Sequence, residues 1–151
     1  QEAWQVLDGL FQQSQDFPIS RIYPGIPEYF DPRGRGMYLY LTGSAAWYIF
    51  TLLTETFGVK GHLGDLVLEP KLNAELFGDA ETVKVRAIFA GRRLDIIYHN
   101  PNRLDFGSFQ IGGVSINGEQ LEDELSSGKI QFDRDHVLDW PDEVEISIDL
   151  V

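Results

Sequence analysis

Two hydrophobic periods follow one another along this chain. Up to about residue 60 the apolar positions recur at helical spacing, and beyond it they alternate. Ala3, Leu7, Leu10 and Phe11 share one face of a short helix predicted over 2–13, with no capping residue at its start. Trp47, Phe50, Leu53 and Phe57 follow at steps of three, three and four, and Tyr48, Ile49 and Leu52 widen that stripe. The clearest helix is therefore expected over 43–57, stopped by Gly58. A helix this apolar is expected to be buried on most sides. Because this chain offers it few neighbours, the expected cover is helices from elsewhere. Between the two helices, Pro18, Pro24, Pro27 and Pro32 exclude a long helix or a central strand. Ile22, Tyr23, Ile26, Tyr29 and Phe30 in the same stretch predict an ordered, packed loop rather than a linker.

After residue 61 the period is two. Val83, Val85, Ala87 and Phe89 alternate with Thr82, Lys84, Arg86 and Ile88. A turn at Gly91-Arg92 leads into Leu94, Ile96 and Tyr98, which predicts a hairpin with one buried face. Asn117-Gly118 marks a second hairpin after a strand over 109–116. The end of the chain alternates most strictly, with Val144, Ile146, Ile148 and Leu150 on one face and Glu143, Glu145, Ser147 and Asp149 on the other. The expected fold class is α+β: helices over 1–60, an antiparallel β-sandwich over 61–151, and a boundary near Val59–Gly64.

Composition narrows the function classes. The chain has no cysteine, which removes disulfides, thiolate metal sites and a cysteine nucleophile. Its 12 basic and 24 acidic residues give a net charge of −12, the opposite of a nucleic-acid binder. The acidic excess lies almost wholly beyond residue 60 and reads as a solvated surface. No apolar run is long enough to cross a membrane. No signal peptide is evident, so a cytoplasmic location is expected.

Candidate chemistry gathers before the apolar helix. Leu41-Thr42-Gly43-Ser44 opens it. The first turn of a helix offers unpaired N–H groups and partial positive charge, so it can hold an anion without a basic side chain. Thr42 adds a hydroxyl, and Gly43 allows close approach to the backbone. The same residues also serve as an ordinary N-cap. Upstream, Arg33 and Arg35 sit among glycines, with Glu28 nearby. Such arginines present forks to phosphate or sugar hydroxyls, or anchor a loop by ion pairs. Tyr23, Tyr29, Tyr38 and Tyr40 either line a sugar site or pack the loop. His62, His99 and His136 have no ligand partner at helical spacing, so no metal site and no cofactor are expected. Glu69, Glu75 and Asp79 give no reason to form a catalytic carboxylate pair.

Four stretches carry a family resemblance: Tyr23-Pro-Gly-Ile-Pro-Glu-Tyr-Phe30, Gly34-Arg-Gly-Met-Tyr38, Tyr40-Leu-Thr-Gly-Ser-Ala-Ala-Trp47, and Phe57-Gly-Val-Lys60 followed by Leu63-Gly-Asp-Leu-Val-Leu-Glu-Pro70. Across about residues 18–100 the chain resembles the C-terminal part of the cellobiose phosphorylase family, glycoside hydrolase family 94. The resemblance implies that residues 1–60 are the last helices of an (α/α)6 catalytic barrel. Residues 61–151 would then form a jelly-roll-like C-terminal domain. It implies an inverting phosphorolysis of a β-glucosidic bond, with inorganic phosphate as co-substrate and a β-linked gluco-oligosaccharide as substrate. It maps the family's phosphate contacts onto Thr42 and Gly43, next to Ser44. Glu28 and Arg35 stand as substrate-site candidates. The catalytic aspartate and the other phosphate ligands are expected upstream, outside this chain, which alone should be inactive. Family members are commonly homodimers. Two other readings fit the same residues: a non-catalytic carbohydrate-binding or structural β-sandwich, and the phosphorylase-like end of a β-1,2-glucan-synthesising enzyme.

Overall fold

A computed structural model describes residues 2–22, 24–38, 43–121 and 128–151. The fold is α+β, and the chain divides into two compact units, residues 1–52 and 53–151. The division falls inside the apolar helical segment, and the first long β-pairing begins only at Val59.

In the first unit α1 spans Glu2–Gln15 and α2 is a single turn, Phe17–Ser20, with Pro18 in its first turn, where a missing N–H costs nothing. Arg21 ends it in the left-handed region, φ 59°. The proline-rich stretch is ordered. β1 (Tyr29–Phe30) and β2 (Gly36–Met37) pair antiparallel, and Gly36 leaves room for the buried Ile22, whose Cγ2 would lie 2.7 Å from a Cβ there. α3 covers Ser44–Thr51, and the Tyr48 hydroxyl donates to the Leu7 carbonyl at 3.2 Å. Among the described residues Ile22 is the single large apolar side chain buried in this unit.

No residue of α3 is buried: Trp47 is 67% exposed, Ile49 65% and Phe50 54%. The expectation of a helix buried on most sides is therefore corrected for this chain. The apolar pattern is present and its cover is not. α3 runs into a π-helical turn, Leu52–Thr56, and Gly58 ends the segment at φ 73°.

The second unit holds the core. β3 (Val59–His62), β4 (Asp65–Leu68) and β9 (Ile130–Phe132) form a three-stranded sheet. β5 (Thr82–Phe89), β6 (Arg92–His99), β7 (Ile111–Ile116), β8 (Glu119–Gln120) and β10 (Glu143–Leu150) form a five-stranded sheet in the order β5-β6-β10-β7-β8. Leu66, Leu68, Ile130 and Phe132 from the first sheet join Leu94, Ile96, Tyr98, Ile146, Ile148 and Leu150 from the second in one hydrophobic cluster, with Val137 of α4 (Arg134–Asp139). The alternation read in β5, β6 and β10 therefore sorts buried from exposed faces as expected.

The expected antiparallel sheet is corrected. β10 runs parallel to β6, Ile146 opposite Ile96, and antiparallel to β7. A parallel neighbour needs a long crossover, and the chain from β6 through β7, β8, β9 and α4 supplies one. Three two-residue turns, Leu63-Gly64, Ala90-Gly91 and Asn117-Gly118, have both residues at positive φ, the backbone of type I′ hairpins. The second lies one residue earlier than the expected Gly91-Arg92.

Candidate functional site

Thr42 lies outside the described residues, as do Tyr23 and Tyr40. Gly43 precedes α3 with φ −79° and ψ −5°, and its carbonyl accepts the Trp47 N–H at 2.8 Å, the first bond of the helix. It has no side chain with which to cap the helix start. A Cβ at Gly43 would stand 2.8 Å from Trp47 Cδ1 and 3.1 Å from Nε1. The indole therefore occupies the space that the missing side chain leaves. Ser44 is the first residue of α3.

Glu28 and Arg35 lie at opposite ends of the β1–β2 ribbon. The Glu28 N–H donates to the Met37 carbonyl at 3.1 Å, while the Arg35 carbonyl accepts from the Asp31 N–H at 2.9 Å. Strand rise separates the two levels by about 10 Å, so this ribbon does not bring the two candidates side by side. Both side chains are exposed, and neither Arg33 nor Arg35 forms an ion pair among the described residues.

Asp31 organises this loop and went unnoticed in the sequence. Its Oδ1 accepts the Arg33 N–H at 2.8 Å and the Arg35 N–H at 2.9 Å. The Arg35 N–H, above all, holds the Asp31 carboxyl below the usual carboxylate range. The signal was present: an Asp opening Asp-Pro-Arg-Gly is the residue that bonds the backbone of its own turn. Tyr29 and Tyr38 form a tilted pair, centroids 5.7 Å apart, both about half exposed or more. Tyr38 has φ 53°, unusual for an aromatic residue, immediately before the Thr42 motif.

Of the other flagged side chains, Glu69 and His136 have structural partners. Glu69 pairs with Lys60 at 3.1 Å, and Lys60 and Lys71 both pair with Glu55. His136 sits edge-on between Phe132 and Trp140. His62 ends β3, and His99 ends β6. Among the described residues no group of three His, Asp or Glu side chains could hold a metal ion, and no helix is long and apolar enough to cross a membrane. The outer face of the five-stranded sheet, running through Thr82, Lys84, Arg86 and Ile88 of β5 and the matching positions of β6 and β10, carries no aromatic ring but His99 among the described residues.

No family model and no curated protein matches this chain.

Proposed function

We propose that the chain is the C-terminal part of an inverting β-glucoside phosphorylase of the cellobiose phosphorylase family, and that Thr42, Gly43 and Ser44 supply its phosphate-binding turn. The reading rests on the quoted motifs and on one structural observation that supports it. α3 is opened by a glycine that has no side chain to cap its N–H groups, at the place where the motif puts phosphate. The exposed apolar surface of α3 agrees with a helix that packs against barrel helices supplied upstream. In the same reading residues 61–151 are the sandwich that follows the barrel.

The chemistry divides accordingly. A phosphate oxygen attacks the anomeric carbon while the C–O bond to the leaving sugar breaks with inversion. An upstream aspartic acid gives its proton to the departing oxygen. The nucleophile arrives already anionic, so no second carboxylate is needed to activate water. The turn's part is to hold and orient that anion.

Phosphate release from α-glucose 1-phosphate with a panel of sugar acceptors tests this. It is run on the chain alone and on the chain extended upstream through a full barrel. Acceptor-dependent release by the extended form only is expected. A folded extended form that releases nothing would overturn the reading.

A further inference from the structure

Among the described residues the five-stranded sheet has one long open edge. β5 stands last in the order β5-β6-β10-β7-β8 and pairs along its whole length with β6 alone. The other edge strands of this unit, β8, β3 and β9, are only two to four residues long. The turn Ala90-Gly91 makes Phe89 and Arg92 a hydrogen-bonded pair, and antiparallel pairing then alternates. Val83, Val85 and Ala87 therefore spend their backbone groups on β6. The Asn100 N–H, donating to the Glu81 carbonyl at 2.8 Å, keeps the same phase. Thr82, Lys84, Arg86 and Ile88 aim their backbone groups outward, and no described strand takes them up.

Edges of this length are ordinarily blunted by a proline, a bulge or an inward charge. β5 has none of these. Its register with β6 runs unbroken, and its inward side chains are Val83, Val85, Ala87 and Phe89. Those four are only partly buried, whereas Leu94, Ile96 and Tyr98 on β6 are almost fully covered, so core cover is incomplete at this edge. On the outward face β5 carries Lys84 and Arg86 and no acid, in a chain of 12 basic and 24 acidic residues. Both cations reach Asp95, at 2.6 and 3.0 Å, one carboxylate for two positive charges. Glu145, the next acid in that row, stands on β10, about 10 Å from β5. These cations also decide between occupants. A two-fold axis through Lys84, Val85 or Arg86 would pair two copies of β5 with cation opposite cation. A strand with acids at those positions meets no such repulsion.

We propose that the edge of β5 binds an extended acidic segment of a partner protein, added antiparallel as a further strand of this sheet. The segment's carboxylates lie opposite Lys84 and Arg86, and its alternate apolar side chains complete the cover over Val83, Val85 and Ala87. Its backbone takes up the outward N–H and C=O groups of β5. Ile88, 78% exposed, offers an apolar contact at one end of the row. Main-chain bonds supply the affinity, and charge selects the partner. The inference does not depend on the phosphorylase reading, because every residue in it belongs to the second unit.

The test is fluorescence anisotropy of the full chain with a labelled, capped peptide that alternates glutamate and valine and is long enough to span β5. This peptide should bind. Affinity should fall at least about ten-fold when the same peptide is N-methylated at its glutamates, which keeps the charge and removes the donors that face β5. A lysine–valine peptide should bind as weakly. The double variant Lys84→Glu, Arg86→Glu should reverse the preference and take the lysine–valine peptide, so its loss of the acidic one is not lost folding. An acidic peptide that does not bind, equal affinity for its N-methylated form, or a folded double variant that keeps the parent's preference or binds neither peptide would overturn the proposal. So would a dimer of the chain, seen in sedimentation, that the acidic peptide breaks apart, because a second copy would then be the occupant.

Discussion

Gly58 sets the geometry where the helical segment gives way to β3. Its φ is 73°, and a Cβ there would lie 2.0 Å from the Glu69 carbonyl oxygen, which is backbone and cannot swing aside. Gly58→Ala should destabilise the chain by about 3 kcal/mol, combining left-handed strain with a backbone clash. An unchanged urea midpoint would show that the backbone relaxes. Gly43 makes a contrasting case, because its tight neighbour is the Trp47 indole, a side chain able to move. Gly58 and Asn117-Gly118 were legible in the sequence because glycine and asparagine advertise positive φ. Tyr38, Leu63 and Ala90 occupy the same region and were not, since residue type argues against it. Leu63, 95% exposed at its hairpin tip, contradicts its type in solvation as well.

At the scale of elements, alternation reveals which face of a strand is buried and says nothing about its neighbours. β5, β6 and β10 were readable for that reason, while the place of β10 between β6 and β7, parallel to the former, was not. Ile146 is fully buried at the middle of that strand. Ile146→Asp should cost at least about 3 kcal/mol by burying a carboxylate with no partner. Unaltered thermal stability would mean the strand's inner face is misassigned. Between elements, Lys84 foremost lowers the Asp95 carboxyl, Gln131 the Asp65 carboxyl, and Lys71 the Glu55 carboxyl. Each folded value lies below the ordinary 3.8 or 4.5. Their stabilisation is therefore complete above those values and is lost as pH falls through the lower folded ones. The urea midpoint should stay level between about pH 7 and 5 and drop below about pH 4. A midpoint falling already by pH 6 would assign acid sensitivity to other groups.

Over the whole molecule the two units differ in how they are held. The second has a continuous core drawn from both sheets, whereas the first buries one large apolar side chain among its described residues and displays three on α3. The contradiction between the apolar sequence of α3 and its exposure was already readable in the sequence, as a helix with too few neighbours. What covers it was not, because a pattern names a face and never its partner. If barrel helices cover it, the amide hydrogens of α3 should exchange rapidly in this chain and at least ten-fold more slowly in the upstream-extended protein. Equal rates would remove the barrel from the account.

The central claim is that the turn before α3 holds phosphate, and kinetics on the extended protein address it most directly. Rates would be measured against phosphate concentration for the parent and for Thr42→Val. A lost charge-assisted hydrogen bond of about 1–3 kcal/mol should weaken phosphate use by roughly 5- to 150-fold, with the apparent affinity for the sugar little changed. An unaltered dependence on phosphate would contradict the assignment of this turn.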